Sequence, residues 1–267
     1  MYYDNFMNIK AYLQNFKKND SSSSPLIMGI LNLTPDSFHD VGKYTDPVSA
    51  IAQIRYMQKN GVHIIDVGAA SSRPGFSKVD SPTEIARLND LFSVYKISPD
   101  SAFSIDTDKA EVAEYAIAHG FSIINNSAGS LDKDMYELAA QKSVPMVIMH
   151  RMGEEGRHQN VVEEILSWFD ESVSFGLSLG MEKWQFILDP GFGFNKNIEE
   201  NMAIVENIDR FTELAYPILA AFSHKRFVAA ISGEFPGNAP EGNKKMANYM
   251  LKHGVAILRM HDVLCPD

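Results

Sequence analysis

The chain has one cysteine, Cys265, so no internal disulfide can form, which suits a reducing compartment such as the cytoplasm. It has no apolar run of 18 residues, and its polar start, MYYDNFMNIK, does not read as a secretory signal, so no membrane association is expected. Positive charge is scarce: 24 Lys and Arg stand against 34 Asp and Glu, for a net charge of −10. Phosphate backbones are neutralised by clustered cations, so a nucleic-acid partner is not expected either. An anionic small substrate remains compatible with that charge, because one local cationic pocket is enough to hold it. No stretch has the density of His, Cys and carboxylate that grips a transition metal. Internal repeats and segments dominated by Pro, Gly or one charge sign are also missing. These absences leave a soluble globular protein of 267 residues, 45% of them hydrophobic, long enough for one large core.

What is present is alternation. Short β-like runs occur at LIMGIL (26–31), HIIDVG (63–68), AFSID (102–106), FSIIN (121–125), PMVIMH (145–150), WQFILD (184–189), YPILAA (216–221) and AILRMH (256–261). Amphipathic stretches of helical length lie between them, among them 48–59, 82–93, 109–119, 161–179 and 198–214. Gly61, Gly120, Gly180 and Gly254 fall two or three residues before a strand, where a helix C-cap wants glycine. Passages of roughly 30–40 residues between strands fit βαβ crossovers. Eight such strands predict a (β/α)8 TIM barrel over residues 25–267, with a doubly wound open sheet as the alternative. Residues 1–24 form a separate N-terminal piece: a short helix over 5–18 with Phe6, Ile9, Leu13 and Phe16 on one face, then a Ser-rich linker closed by Pro25.

Barrel enzymes gather their chemistry at the C-terminal ends of the strands. Here each candidate strand ends on a polar group: Asn32, Asp66, Asp106, Asn125, His150, Asp189, Ser223 with Lys225, and Arg259 with His261. One such residue would be an ordinary strand cap, and Asp66 is the member best explained as purely structural, orienting loop amides. The set as a whole is harder to explain that way. Asp106, Asn125, Asp189 and Lys225 mix acceptors and donors in a manner suited to a flat heterocycle bearing N–H groups and a carbonyl. Arg259 and His261, two apart on one strand, point the same way and can hold an anion such as diphosphate. Asn32 offers a neutral oxygen to a Mg²⁺ held mainly by phosphate oxygens and water. The loop after the sixth strand, Asp189 to Phe194, carries glycines that let backbone approach a ligand closely.

The blocks MGILNLTPDSF (28–38), IIDVGAASSRPG (64–75), SIDT (104–107), IIN (123–125), LDPGFGF (188–194), SHK (223–225) and RMHDV (259–263) together resemble the dihydropteroate synthase family, in order and spacing, from about Pro25 to Val263. The resemblance implies condensation of a 6-hydroxymethyl-7,8-dihydropterin diphosphate with p-aminobenzoate, giving 7,8-dihydropteroate and diphosphate, with Mg²⁺ as cofactor. It implies that Asp106, Asn125, Asp189 and Lys225 hold the pterin, with Met149 and Phe194 lining its pocket. Asn32 would sit on the metal and diphosphate side, with Arg259 and His261 gripping the diphosphate. Phe38 and Asp40 would close over the reacting carbon. Ser72, Arg73 and Pro74 would complete the p-aminobenzoate site, with Ser223, Lys225 and the start of the next helix facing its carboxylate.

The chain departs from the family pattern at Ala70 (usually Glu), Asn126 (Asp), Ala221 (Gly), His224 (Arg) and Val41 (Gly), none of them a principal substrate ligand. The sequence ends at Asp267, where the family continues into an eighth helix that also serves its dimers, so a homodimer is an open expectation. Two other functional readings stand beside the synthase: a pterin-binding paralogue with weak catalysis, and a methyltetrahydrofolate-dependent methyltransferase, which would not need the SRPG and TPDSF loops. For residues 5–18 two placements are open. The helix fills the vacant eighth-helix position outside strands one and eight, which we expect, or it caps the barrel bottom; the remaining alternative is that the segment is disordered.

Overall fold

The computed structural model describes residues 8–16, 24–34, 47–70, 79–97, 102–153, 160–235 and 238–261. Its strands are β1 (Leu26–Asn32), β2 (Ile64–Gly68), β3 (Ala102–Asp106), β4 (Ile123–Asn126), β5 (Met146–Met149), β6 (Phe186–Asp189), β7 (Leu219–Ala220) and β8 (Ile257–Met260). All pair in parallel, in the order β6-β5-β4-β3-β2-β1-β8-β7. The two ends of that order meet through one parallel bridge, Leu188 to Ile218, where the Leu188 N–H donates to the Pro217 carbonyl at 3.0 Å. An open doubly wound sheet would keep its edges apart. This sheet joins them, as the barrel reading expects.

The helices between strands are α2 (Pro47–Lys59), α3 (Ser81–Phe92), α4 (Ala110–Ala118), α5 (Lys133–Lys142), α6 (Val161–Ser178), α7 (Ile198–Glu206), α8 (Ile208–Thr212), α9 (Arg226–Ser232) and α10 (Pro240–Lys252), preceded by α1 (Ile9–Asn15). Their starts use side-chain oxygens to satisfy free backbone N–H groups: Asp80 caps α3, Asp132 α5 and Asn160 α6. On α7, Asn197 and Glu200 form a reciprocal capping box. Gly61, Gly120, Gly180 and Gly254 all have positive φ, as helix-ending glycines should. The single helix expected over 198–214 is two, because Asn207 breaks it. Its side-chain amide donates to the Ala203 carbonyl at 2.8 Å and its backbone leaves the helical region.

Period-2 alternation along the strands sorts side chains between two apolar clusters. Ile27, Ile65, Phe103, Ile124, Ile148, Leu188 and Leu258 face outward and pack with helix residues such as Met57, Leu88, Phe169 and Met250. Leu26, Met28, Ile64, Ile123, Val147, Ile187, Leu219 and Ile257 cluster together although their strands are not all neighbours, which places them inside the barrel. Counting on by two from this inner layer reaches Asp66, Asn125, Met149, Asp189 and Arg259, and counting on by four from Ala102, which packs against it, and from Leu219 reaches Asp106 and Ser223. The residues at the C-terminal mouth therefore face inward as a consequence of strand geometry.

Helix α1 corrects the eighth-helix expectation. Ile9 and Leu13, 6% and 4% exposed, belong to the inner cluster with Leu26, Leu219 and Ile257, and Tyr12 and Phe16 pack against it. The Lys10 ammonium donates to Ser143 Oγ at 3.2 Å and lies 4.7 Å from the ring of Trp184, in the 3-10 turn Lys183–Gln185 that leads into β6. Those contacts are at the N-terminal end of the strands, so α1 caps the barrel bottom, the placement held as the alternative. The physical reason lies in the outer faces of β1 and β8. Ile27 and Leu258 are already buried in one cluster with Met57 of α2 and Met250 of α10, whereas the inner floor needs an apolar cover. Phe6 lies outside the described residues.

Candidate active site

Four consecutive strands set one edge of the mouth: Asn32 pairs in register with Gly68, Gly68 with Asp106, and Asp106 with Asn125. Asp66, fully buried one layer below, accepts from Arg259 Nε at 2.7 Å and from Asn125 Nδ2 at 2.8 Å through the same oxygen. Asp66 is structural, as expected, but it orients the site's side chains and not loop amides. Arg259 also donates from Nη2 to Asp106 Oδ2 at 2.8 Å, and Ser127 Oγ donates to the other oxygen of Asp106 at 3.0 Å. One guanidinium thus serves two carboxylates. Burial pushes the Asp106 carboxyl up to about 6 against the pull of Arg259, with Asp66 adding to the rise. Burial opposes the charge on Arg259, but the two carboxylates outweigh it and its pKa is raised.

Across the barrel, Met149 pairs in register with Asp189. Asp189 Oδ1 accepts the Gly191 N–H at 2.7 Å, and burial raises its carboxyl while Lys225 and then Gly191 and Lys196 pull it down. Lys225 donates to the Phe192 carbonyl and lies 4.6 Å from the Phe194 ring centroid, with Arg151 at 5.5 Å from the same ring. Gly193 has φ +86°, and a Cβ there would come within 3.0 Å of Lys225 Cδ. Ser223 Oγ accepts the His261 N–H at 3.3 Å, and the rings of His261 and His224 meet edge to face at 5.0 Å. Lys225 is the N-cap of α9 without a side-chain cap bond, and His224 holds a left-handed φ of +58° just before it.

The inner mouth therefore brings together Asn32, Asp106, Asn125, Met149, Asp189, Phe194, Ser223, Lys225, Arg259 and His261 as anticipated. Phe38, Asp40, Ser72, Arg73 and Pro74 lie outside the described residues. The roots of the second loop are anchored. Arg87 of α3 donates to the Ala69 carbonyl, and the buried Glu84 of α3 accepts from Thr107 Oγ1 at 3.0 Å and pairs with Lys109. Sequence reasoning missed Ser127, which supports Asp106, and Lys196, whose ammonium lies buried between the β5 end and the turn after β6. Lys196 stands two residues past the LDPGFGF block, but nothing in a single sequence marks a lysine as buried.

A parallel barrel whose mouth presents two inward carboxylates, an amide and a lysine beside an aromatic ring belongs to the class of barrel enzymes that take a flat, polar heterocycle. The chain matches the family described as pterin binding enzyme over residues 28–261, and it belongs to that family. The dihydropteroate synthase of Clostridium beijerinckii is 39% identical over 240 residues, covering 89% of each chain. Among solved structures, the dihydropteroate synthase of Clostridium difficile, determined in the presence of pteroic acid, superposes with a TM-score of 0.84 at 34% identity, over 93% of this chain and 94% of that one. That of Xanthomonas albilineans with 4-aminobenzoic acid superposes with a TM-score of 0.82 at 32% identity, over 90% and 88%.

Proposed function

We propose that this protein is a dihydropteroate synthase, joining a 6-hydroxymethyl-7,8-dihydropterin diphosphate to p-aminobenzoate with release of diphosphate. The observation that carries this reading is the inward layer of Asp106, Asn125, Asp189 and Lys225. Two carboxylates accept N–H donors from an aminopyrimidine edge, while Asn125 and Lys225 donate to a ring carbonyl and nitrogens. Phe194 and Met149 supply apolar faces for the ring. Relatives solved with pteroic acid and with 4-aminobenzoic acid support both halves of the substrate pair.

In the proposed reaction the methylene C–O bond breaks, the diphosphate leaves with its electron pair, and the aniline nitrogen bonds to the methylene carbon and sheds a proton. Arg259 and His261 sit on the β8 side, and their positive charge and donors would stabilise the leaving diphosphate. Arg259 commits Nε and Nη2 to Asp66 and Asp106, which leaves Nη1 outside those two bonds. Asp106 would stabilise the cationic methylene that forms. Little general-base help is needed, because the amine becomes acidic once bonded. Phe38, Asp40, Ser72, Arg73 and Pro74 take in this reading the loop-closing and p-aminobenzoate roles implied by the family pattern. Among the described residues no group of three His, Cys or carboxylate side chains could hold a metal. In this reading the Mg²⁺ arrives with the diphosphate, and Asn32 would add one neutral oxygen to it. Such an ion would neutralise charge on the leaving group.

No helix among the described residues is long and apolar enough to cross a membrane. The cytoplasm is our reading of the compartment, from the lone cysteine. The test is a coupled assay of diphosphate release from the pterin diphosphate, with and without p-aminobenzoate. Release that needs both substrates supports the synthase. Pterin binding without release supports the paralogue that only binds.

A further inference from the structure

Lys196 is 8% exposed, and the reaction proposed above does not use it. Its ammonium donates to the Gly191 carbonyl at 2.7 Å and to the His150 carbonyl at 3.2 Å, so it ties the end of β5 to the turn after β6. The two segments touch closely at this point. Gly191 has φ +69°, and a Cβ there would fall 1.9 Å from the His150 carbonyl oxygen. The same turn is held elsewhere too: the His150 N–H donates to the Asp189 carbonyl at 2.9 Å, the Gly193 N–H to Asn201 Oδ1 at 2.7 Å, and Asn195 Nδ2 to the Met152 carbonyl at 2.9 Å. A buried charge is costly where a neutral donor would complete the same bonds, so its sign is the feature to explain.

We propose that Lys196 is a positioning residue for the pterin site: it fixes the Asp189 turn against the Met149 strand and supplies the buried positive charge that keeps Asp189 an acceptor. The inference rests on the proposed pterin chemistry. Asp189 receives the Gly191 N–H, and the carbonyl of Gly191 receives the ammonium, so one residue links acceptor and cation. The groups facing Asp189 are Lys225, Lys196 and Arg259, all cationic. Those facing Lys196 are Asp189, Glu164 and Glu200, with the neutral His150 beside it, whose pKa burial and Lys196 hold down at about 3. Burial pulls Lys196 down to about 8 against those carboxylates, so the ammonium predominates at and below neutrality.

The experiment measures 6-hydroxymethylpterin affinity of the full chain by calorimetry at pH 5.5 and pH 8, for wild type, Lys196→Met and Lys196→Gln. Protonation of Asp106 is common to all three and divides out of the variant-to-wild-type ratio. Lys196→Gln keeps a neutral donor for one carbonyl. Its dissociation constant should lie within about threefold of wild type at pH 8, which favours the carboxylate form in every variant, and at least tenfold above it at pH 5.5. Lys196→Met, which loses the tie as well, should be weaker at both pH values and show the same widening. Ratios equal at the two pH values for Lys196→Gln would overturn the proposal, even with a lowered melting temperature. A wild type that binds no pterin at either pH would instead overturn the functional reading beneath it.

Discussion

Replacing Arg259 should cost stability in a pH-dependent way, because one guanidinium neutralises two carboxylates inside the barrel. In Arg259→Met the stem's apolar volume is kept and the bonds to Asp66 at 2.7 Å and Asp106 at 2.8 Å are lost. Hydrogen bonds between charged groups contribute about 1.5–3 kcal/mol each, and orphaning one side of a buried ion pair costs about 3–5 kcal/mol. A loss of about 4 kcal/mol at pH 8 is therefore expected in urea unfolding. The sign of the pH dependence follows from Asp106. Its folded-state carboxyl lies at about 6, above the 3.8 of a free aspartate, so its contribution is fully present in acid and is lost as pH rises through the folded value. Without Arg259 that value moves higher still. Between pH 6 and the new value the variant alone loses stability, at up to about 1.4 kcal/mol per pH unit. The gap between wild type and variant should then widen from pH 6 to pH 8. A loss below about 1 kcal/mol, or one that is the same at both pH values, would refute the two-carboxylate account.

Asp106→Asn should weaken pterin binding at least tenfold while leaving the melting temperature unchanged or higher, since Arg259 then faces one buried carboxylate in place of two; calorimetry and thermal unfolding of one preparation check both halves. Arg73→Ala should raise the KM for p-aminobenzoate and lower turnover while pterin affinity holds, and a pterin loss equal to the turnover loss would count against the loop assignment. Leu13→Ala should cost about 2–4 kcal/mol in urea unfolding, within the range for large-to-small core changes, because Leu13 is 4% exposed in the inner cluster. Its pterin affinity should stay unchanged, since α1 contacts the opposite end of the strands.

Much of the site could be read from the sequence, because strand geometry converts spacing into direction. Once Ile64, Ile123, Ile187 and Ile257 face inward, Asp66, Asn125, Asp189 and Arg259 must face inward as well, two residues on. What spacing cannot say is whom each group meets. Arg259 read as an anion grip alone; the fold shows it bonded to Asp66 and Asp106, whose sequence separations from it are 193 and 153 residues. Lys196 was invisible for the same reason, since its partners are backbone carbonyls that every residue carries. The split at Asn207 was missed because apolar periodicity survives across it, while the side chain that breaks the helix acts locally.

Helix α1 shows where pattern reasoning runs out. An amphipathic face at 9, 13 and 16 states only that something apolar lies opposite, and a barrel has two kinds of apolar surface, the outer strand faces and the inner floor. The outer faces of β1 and β8 find cover from Met57 and Met250, on helices far from α1 in sequence. The floor has no such supply, because every βα helix packs outside the strands, and the inner residues Leu26, Leu219 and Ile257 would otherwise meet water at the N-terminal end. Two leucines and an isoleucine left wet there would cost about 1.5–3 kcal/mol each. The segment just before β1 can reach that end without crossing the barrel, since its chain enters β1 there. Proximity along the chain and an uncovered floor together select the bottom for α1, and both follow from topology, not from the helix's own residues.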